Sequence, residues 1–384
     1  MAEVKVPFYG HVKQYLNHKE DFDKAINDVL MSGVYTLGPQ GKALEAELSE
    51  YLGIKHSIGL NSGTDALWFA MLALGIKPGD EIITTSNTFF ATAEAAWLIG
   101  ATPVFVDIDP KTRNIDVDKI EEKITPKTKM IVPVHLYGQP ANMPAIAEIA
   151  KKHNLLVIED SAQAFGAAGD TWKLGDYSDA VCTSFITAKN LGCWGDGGAI
   201  FTNRDDIVEP ILRMRNHGSV ERSKHRPGWN SRLDEIHAAV LRVKLRHIDE
   251  YNDARIARAA EYDEYLKDAK CVIPYKTPGY RHIYHLYVIE SEDRDGLQAF
   301  LKEKGIIALT NYPIAIHEQE GFPFGNGDPN PVLPLTEWHS ARVLSLPIYP
   351  ELTKEEAKYV ADAVLEWEAQ SGVASSREHV LAAK

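Results

Sequence analysis

Cysteine is scarce in this chain, with only Cys182, Cys193 and Cys271 among its 384 residues. An odd number of cysteines at wide spacings offers neither a disulfide framework nor a paired-cysteine metal motif. No apolar stretch approaches the roughly 20 residues that a membrane-spanning helix needs, and the start, MAEVKVPFYGHVKQY, lacks the apolar core of a signal peptide. These absences predict a cytoplasmic protein that holds no metal and makes no membrane contact.

Positive charge is in the minority. Lys and Arg total 41 against 54 Asp and Glu, so the formal net charge is −13. Such a surface disfavours nucleic acid as a partner, although a local cluster of Arg and His can still attract a small anion into one cleft. No G-x-G-x-x-G follows a predicted strand and no G-x-x-x-x-G-K-[ST] occurs. Dinucleotide and P-loop sites are therefore not predicted.

From about residue 56, short β-rich runs alternate with helical stretches. The runs are HSIGLNS, EIITTS, TPVFVDI, KMIVPVHLYG and LLVIED, and the stretches between them include TDALWFAMLAL, ATAEAAWLIG and DVDKIEEKI. This alternation predicts an α/β fold with a mainly parallel sheet between two layers of helices. One long helix is predicted after Asp234, and HLYVIES, GIIALTNY and SLPIYP are predicted strands beyond it. We therefore predict a large domain over residues 1–250 and a smaller C-terminal α/β domain over 251–384.

The apolar strand LLVIED ends in two acidic residues, Glu159 and Asp160, and Gln163 follows shortly after. Ligands of open α/β sheets bind beyond the carboxyl ends of the strands. Asp160 is therefore a candidate site carboxylate. A plain cap on the next helix is the alternative.

Lys189 lies in TSFITAKNLGCWGDGGAIF, among small and apolar neighbours. A loop lysine is usually exposed, but this one is flanked by two segments with the composition of buried chain. Burial lowers the pKa of a lysine and leaves a nucleophilic amine, which suits covalent chemistry on a carbonyl group.

In GLNSGTDALWFA, a strand ends near Asn61 and Ser62-Gly63-Thr64 opens a helix. Free backbone N–H groups at a helix N-terminus bind anions, although an ordinary capping turn has the same pattern. Gly63 and Thr64, with Ser184, form a candidate phosphate site. A phosphate cradle, a strand-end acid and a partly buried lysine are together the parts of a pyridoxal phosphate (PLP) site.

In their order along the chain these segments resemble the DegT/DnrJ/EryC1/StrS group of PLP-dependent nucleotide-sugar aminotransferases, which have the aspartate aminotransferase fold (fold type I). The resemblance is carried by YTLGPQGKALEAELSEYLG, NSGTDAL, GDEIITTSNTFFATAEA, GATPVFVDID, ITPKTKMIVPVHLYGQPANM, VIEDSAQAFGA, SFITAKNLGCWGDGGAIFTN, RNHGS, NSRLDEIHAAVLRVKL and SLPIYP. They run from about residue 35 to about residue 350. The resemblance implies a mixed, mainly parallel sheet of the seven-stranded type.

The resemblance also implies roles for individual residues. Lys189 attaches to PLP and later moves a proton between the substrate carbon and the cofactor, which passes through the pyridoxamine 5'-phosphate form. Asp160 pairs with the pyridine nitrogen. The remaining implied cofactor contacts are Gln163 at the ring hydroxyl, Phe89 stacked on the ring, and Gly63, Thr64 and Ser184 at the phosphate. Asn230 is implied to reach the phosphate of the other subunit, so the resemblance predicts a homodimer with shared active sites.

Candidate substrate contacts are less specific. They are Tyr35, His135, Tyr137, His217, Tyr312 and His317. A packed structural role is the alternative for His135, and a helix-terminal role for His217. The basic stretch RNHGSVERSKHRPG, residues 215–228, is either a solvated loop or a binding loop for a diphosphate.

The predicted reaction is transfer of an amino group from L-glutamate to a keto-sugar linked to a nucleoside diphosphate, with C3 of a dTDP- or UDP-linked 3-keto sugar favoured. A 4-keto-sugar or cyclitol aminotransferase stays open. A PLP-dependent sugar dehydratase is disfavoured, because the dehydrating branch of the group has His in place of the lysine. Ile186, Thr187 and Trp194 depart from the usual pattern beside Lys189, and we expect them to reshape the pocket there.

Overall fold

The computed structural model describes residues 4–221, 223–322 and 331–377. Three helices precede the first strand: α1 (His11–Asn17), α2 (Lys19–Ser32) and α3 (Pro39–Leu52). Helix α3 begins with Pro39 in its first turn and ends at Gly53, whose φ of 65° suits a glycine. Within the described part of the chain, no helix is both long and apolar enough to cross a membrane.

The large sheet has seven strands. They are β1 (His56–Leu60), β2 (Glu81–Thr85), β3 (Thr102–Val106), β4 (Thr128–Ile131), β5 (Leu156–Asp160), β6 (Ala180–Ser184) and β7 (Gly198–Thr202). Their order is β1-β7-β6-β5-β4-β2-β3, and only β7 runs antiparallel to its neighbours. The predicted mainly parallel, mixed seven-stranded sheet is confirmed.

Six helices follow the strands of this sheet: α4 (Gly63–Ala73), α5 (Ala91–Leu98), α6 (Met143–His153), α7 (Asp205–Met214), α8 (Glu235–Leu245) and α9 (Ile248–Tyr265). Two helix predictions were wrong. The stretch DVDKIEEKI forms two short 3₁₀ turns, Val117–Lys119 and Glu121–Lys123. The single helix expected after Asp234 is interrupted at residues 246–247, between α8 and α9. A short hairpin, β8 (Ser219–Glu221) and β9 (Lys224–His225), lies between α7 and α8.

Among its described residues, the C-terminal part contains an antiparallel strand pair and three helices. These are β10 (Tyr287–Glu290), α10 (Arg294–Glu303), α11 (Pro334–Ser340), β11 (Val343–Leu346) and α12 (Lys354–Ser371). The stretch GIIALTNY, predicted as a strand, makes only isolated bridges, Val6 with Ile306 and Leu309 with Ser345. This stretch therefore lies beside the β10–β11 pair as irregular chain and does not form a third strand.

Helix α9 runs across the predicted domain boundary at residue 250. Its first residue, Ile248, packs in the core of the large sheet, while Ala259 and Tyr262 pack in a second core with β10, β11 and α12. Val6, near the start of the chain, also belongs to the second core. The division at 250/251 stays a prediction.

The topology brings three strand ends together. Strand β1 is antiparallel to β7, and β7 is antiparallel to β6, so β1 runs parallel to β6 and β5. Their carboxyl ends at Leu60, Asp160 and Ser184 therefore lie at one edge of the sheet. Open α/β sheets bind ligands at this edge.

Candidate active site

A cavity of about 320 Å³ lies at the carboxyl edge of the sheet. Eight residues singled out in the sequence share its wall with residues from the C-terminal part of the chain. The eight are Gly63, Thr64, Phe89, Asp160, Gln163, Ser184, Lys189 and Tyr312. We call this space the main cavity.

Lys189 lies on the loop that joins β6 to β7. The loop is pinned at its base, because Phe185 N donates to Gly197 O and Cys193 N donates to Phe185 O, each over 2.7 Å. Burial lowers the pKa of Lys189 to about 8, against a smaller opposing effect from Asp160. A substantial fraction of this amine is therefore neutral, and nucleophilic, just above neutral pH.

Asp160 ends β5 with its side chain in the wall of the main cavity. Thr92 Oγ1 donates to its Oδ2 over 2.7 Å, and Ala162 N donates to its Oδ1 over 3.1 Å. Burial raises the pKa of Asp160, while these two hydrogen bonds and the charge of Lys189 lower it. The site thus holds a carboxylate in a poorly hydrated place, where a cationic ring nitrogen would gain most from it.

Helix α4 presents its N-terminus to the same cavity. Ser62 caps the helix by accepting a 3.1 Å hydrogen bond from Asp65 N. The next backbone N–H groups, on Gly63 and Thr64, have no partner inside the helix and can bind an anion. A Cβ on Gly63 would lie 2.8 Å from Cβ of Ser184, so glycine is what lets α4 approach the end of β6. The resulting cradle suits a phosphate group.

An aromatic surface and an oriented amide complete the main cavity. Phe89 is 55% exposed, and its ring centroid lies 5.7 Å from that of Tyr312. Gln163 accepts a 2.7 Å hydrogen bond from Tyr137 N on Oε1, and its Nε2 donates to the Tyr312 hydroxyl over 3.1 Å. An exposed flat ring beside a fixed amide suits a planar heterocycle with polar substituents.

Two histidines proposed as substrate contacts lie away from the main cavity in this single chain. His135 is fully buried: its Nδ1 accepts from Ala141 N over 3.0 Å, so its Nε2 donates to Glu159 over 2.8 Å. His317 bonds Ser86 through Nδ1 over 2.7 Å and Glu337 through Nε2 over 3.2 Å. Both ring nitrogens of each histidine are paired within the protein, and neither ring is in the wall of the main cavity. These contacts favour the packed structural role for His135, and the substrate roles of both histidines stay predictions.

Tyr137 is also turned away from the main cavity. It is buried, and its hydroxyl donates to Asn311 O over 2.6 Å beside Nε2 of His339 at 3.1 Å. Its side chain lines a second cavity of about 200 Å³, together with Arg113 and Glu290. What Tyr137 gives to the main site is its backbone N–H, through Gln163.

Three further candidates lie on the surface of this single chain, outside the main cavity: Tyr35, His217 and Asn230. The Tyr35 hydroxyl lies 3.4 Å from Leu30 O, and Asn230 Oδ1 accepts from Arg232 Nε over 2.9 Å. Their roles in a site shared between subunits stay predictions.

The basic stretch is partly neutralised. Arg215 pairs with Glu45 over 2.6 Å, and Lys224 pairs with Glu221 over 3.0 Å. Arg226 and His225 are exposed, and Arg222 lies outside the described residues. Diphosphate binding by this stretch therefore rests on fewer free cations than the sequence offers.

The three residues near Lys189 that depart from the usual pattern of the family make different contacts. Ile186 borders the main cavity. Thr187 instead donates to Gly195 O over 3.4 Å, and Trp194 packs on Phe22 and Tyr15 of the N-terminal helices, with ring centroids 4.9 and 5.6 Å away. Only Ile186 reshapes the pocket directly.

Sequence reasoning missed several residues of the main cavity: Tyr9, Thr88, Thr92, Asp196, His285 and Asn311. For His285 a signal existed, because HIYHLYV places a histidine directly before an apolar strand. Nothing in the local sequence shows that this segment packs against Lys189, since 96 positions separate the two.

A family model matches residues 17–365, and its description is the DegT/DnrJ/EryC1/StrS aminotransferase family. A relative from Geobacillus stearothermophilus, named pleiotropic regulatory protein, is 44% identical over 95% of this chain and 99% of its own. The dTDP-3-amino-3,4,6-trideoxy-alpha-D-glucose transaminase of Streptomyces venezuelae is 42% identical over 94% of this chain and 96% of its own. The UDP-2-acetamido-2-deoxy-3-oxo-D-glucuronate aminotransferase of Pseudomonas aeruginosa is 41% identical over 94% of this chain and 99% of its own.

The solved structure of S. venezuelae DesV in complex with a ketimine intermediate matches this fold with a TM-score of 0.92. It is 42% identical, and the match covers 95% of this chain and 99% of that one. Similarity of sequence and of fold over nearly the whole length leaves one conclusion: the chain belongs to the DegT/DnrJ/EryC1/StrS aminotransferase family.

Proposed function

We propose that this chain is a PLP-dependent aminotransferase that transfers an amino group to a keto-sugar linked to a nucleoside diphosphate. One observation carries the proposal: a lysine whose pKa is lowered to about 8 shares a cavity with a buried carboxylate and a helix N-terminus. These are the three groups that PLP needs, for its carbonyl carbon, its ring nitrogen and its phosphate.

The described residues fit this cofactor by charge and by shape. The cradle of Gly63, Thr64 and Ser184 suits the phosphate. A side chain at position 63 would collide with Ser184, so the backbone there stays open to a ligand only because the residue is glycine. Gln163, already oriented by Tyr137 N, is suited to the ring hydroxyl, and Phe89 offers its exposed ring for stacking. When bound, PLP supplies an electron sink that stabilises negative charge at the substrate carbon.

Asp160 and Lys189 then have separate tasks. The hydrogen bonds that Asp160 accepts from Thr92 and Ala162 favour its ionised form, and that form would hold a proton on the ring nitrogen by charge. Lys189 offers an amine that binds the cofactor covalently and, once released, takes a proton from the substrate carbon and returns it. An amine with a pKa near the working pH is well suited to both directions of that transfer.

The substrate class is inferred from the relatives. The named transaminases from S. venezuelae and P. aeruginosa have dTDP- and UDP-sugar names that place the amino or oxo group at C3. We therefore propose a dTDP- or UDP-linked 3-keto sugar as amino acceptor and L-glutamate as donor, with a 4-keto-sugar or cyclitol acceptor as the alternatives. Lys189 disfavours the dehydratase. Its presence with Asp160 in one cavity also favours an enzyme over the regulatory role in the name of the Geobacillus relative.

The working unit is proposed to be a cytoplasmic homodimer. Asn230 is exposed on the single chain although the resemblance gives it a cofactor contact. A second copy that brings Asn230 to its neighbour's phosphate would reconcile these two facts, and Tyr35 and His217 would belong to the same shared site.

The direct test is absorbance spectroscopy of the purified chain loaded with PLP, followed by a panel of keto-sugar nucleotides with glutamate. We expect a yellow protein whose band bleaches with glutamate and recovers with a dTDP- or UDP-linked 3-keto sugar. A protein that binds PLP but never bleaches with any amino donor would refute the proposed activity. Recovery only with 4-keto sugars or cyclitols would instead select one of the alternatives.

A further inference from the structure

His285 is the one imidazole that borders the main cavity in the described part of the chain. It lies two residues before the start of β10, and it is only 6% exposed. Its Nε2 lies 3.5 Å from Nζ of Lys189. A contact between a histidine and the reactive amine raises the question of which atom donates and which accepts.

A chain of hydrogen bonds answers that question. Asn252, on α9, donates from Nδ2 to the backbone oxygen of Phe165 over 3.1 Å, so its Oδ1 faces Asn190. Asn190 Nδ2 donates to that Oδ1 over 2.7 Å and to Ile283 O over 3.4 Å. Both amides are thereby oriented by backbone carbonyls, which can only accept.

The orientation of Asn190 decides the tautomer of His285. Its Oδ1 lies 3.2 Å from Nδ1 of His285 and can only accept, so Nδ1 carries the hydrogen. In the neutral ring Nε2 then bears a lone pair, and Lys189 is the donor in the contact with it. Asn190 and Asn252 are both buried, so water does not compete for these positions.

The surroundings keep this ring neutral. Burial lowers the pKa of His285, and the nearby positive charges of Lys189 and Arg255 lower it further. Arg255 is fixed near His285, because its Nη1 donates to Ile348 O over 2.6 Å and lies 3.5 Å from His285 O. His285 is therefore a poor proton acceptor and a dependable hydrogen-bond acceptor.

We propose that His285 is a positioning residue for Lys189, holding one N–H of the ε-amine so that the amine's own lone pair points into the main cavity. A neutral amine has two hydrogens and one lone pair, so fixing a hydrogen restricts the direction of the lone pair. This proposal rests on the proposed function only in making Lys189 the reactive amine. The contact between His285 and Lys189 involves only atoms of the protein.

The proposal predicts the direction of a pKa change. A neutral acceptor stabilises the ammonium form of Lys189 more than the amine, so removing the acceptor lowers the pKa of Lys189. Other titratable or charged groups face this amine or line the small cavity beside it: Asp160, Tyr9, His11, Arg255, Tyr349 and Glu351. These groups are unchanged in the variants below, so a shift reports on His285.

The test compares His285→Phe, which has no acceptor, with His285→Gln, whose side-chain oxygen can replace Nε2. The first readout is the pH dependence of Lys189 labelling by an amine-reactive reagent in the cofactor-free, full-length chain, followed by peptide mass spectrometry. We expect the pKa of Lys189 to fall by about one unit in His285→Phe and to stay near the wild-type value in His285→Gln.

The second readout is the rate of amino transfer in the PLP-loaded protein. A mispositioned amine costs on the order of 10²-fold in rate, so His285→Phe should lower kcat by about that factor with little change in KM. His285→Gln should recover most of the loss. His282→Phe is the matched control, because His282 is buried three residues away and bonds Tyr284 N instead of Lys189.

A labelling profile of Lys189 that does not shift in His285→Phe would overturn the proposal. Rate losses that are equal in His285→Phe and His285→Gln would also count against it, because the glutamine oxygen should restore the position of the amine. If the wild-type chain fails to react with PLP at all, the proposed function fails. The labelling profiles still decide whether His285 holds Lys189.

Discussion

Thr92, in the first turn of α5, donates its hydroxyl hydrogen to Asp160, at the end of β5, over 2.7 Å. The hydroxyl of Thr88 lies 3.2 Å from that of Thr92, so the donor is itself held from the preceding turn. A residue of a neighbouring helix thus favours the ionised form of the carboxylate proposed to govern the cofactor ring, against the larger effect of burial. Burial raises the pKa of Asp160, and the hydrogen bond from Thr92 is the first of the contacts that lower it.

We expect Thr92→Val to narrow the working pH range from the acidic side. Loss of a hydrogen bond to the carboxylate raises the pKa of Asp160 further, so the charged form is lost at a higher pH than in the wild type. The acidic limb of the kcat/KM profile should move up by about one pH unit. Thr92→Ser keeps the hydroxyl and is the control. An acidic limb that is the same in Thr92→Val and Thr92→Ser would remove Thr92 from this role.

His135 is expected to matter for stability and not for substrate binding. Replacement by Phe leaves Glu159, which is fully buried, without its imidazole partner, although Gly175 N and the Ser178 hydroxyl still donate to it. Leaving a buried charged group partly unpaired costs about 1–3 kcal/mol, so we expect denaturant unfolding to show that loss. The KM for the sugar should stay unchanged. His153→Phe, at a surface histidine paired with Glu121, controls for the loss of an imidazole. A raised KM with unchanged stability would restore His135 to the substrate pocket.

The residues around the main cavity show what the sequence can and cannot predict. Gly63, Asp160 and Ser184 were found because they end or follow strands whose apolar runs are plain in the sequence. Lys189 was found because one lysine stood between two buried segments. These signals are local, and the parallel topology places all of them at one edge.

The residues that were missed or misplaced depend on contacts between distant segments. His285 contacts Lys189 across 96 positions of the chain, and no local pattern encodes that approach. His135 and Tyr137 follow a strand toward the site, and from the sequence they look like substrate contacts. Which way each side chain turns was decided by Glu159 in one case and by Asn311 and His339 in the other.

Lys244, on α8, is 2% exposed, and burial lowers its pKa to about 8. Below pH 8 the folded chain buries a charged ammonium group, and this burial lowers the free energy of unfolding. Between pH 8 and the ordinary value of 10.5, only the unfolded chain stays protonated, so the contribution of Lys244 to stability improves as the pH rises through that range. Lys244→Met should therefore be more stable than the wild type at pH 7, by on the order of 3 kcal/mol, and this advantage should shrink from pH 8 to pH 10.5.

Denaturant unfolding of the cofactor-free chain at several pH values measures this effect. Lys358→Met is the matched control, because Lys358 is 56% exposed and pairs with Asp362 on the surface of α12. We expect that variant to change stability by less than about 0.5 kcal/mol at every pH. A Lys244→Met variant that is less stable than the wild type at pH 7 would mean that the ammonium has a partner in the folded protein that stabilises its charge.

The last prediction concerns Asn230 and the proposed dimer. Loss of a hydrogen bond to a charged phosphate costs about 1.5–3 kcal/mol, so Asn230→Ala should weaken PLP binding by roughly ten- to a hundred-fold. Lys189→Ala should abolish turnover while the chain still folds. Each variant alone is then impaired at limiting PLP, and neither result shows which subunit Asn230 serves.

Hybrid dimers decide that point. If Asn230 serves the partner's site, a dimer of one Lys189→Ala chain and one Asn230→Ala chain has one site with both defects and one with none. Random subunit exchange between equal amounts should then restore about a quarter of wild-type activity, because half of the dimers are hybrids and each has one intact site. If Asn230 serves its own chain, each site of the hybrid carries one defect and nothing is restored. Differently tagged chains confirm the exchange, so a mixture that exchanges fully and stays inactive would place Asn230 within its own subunit.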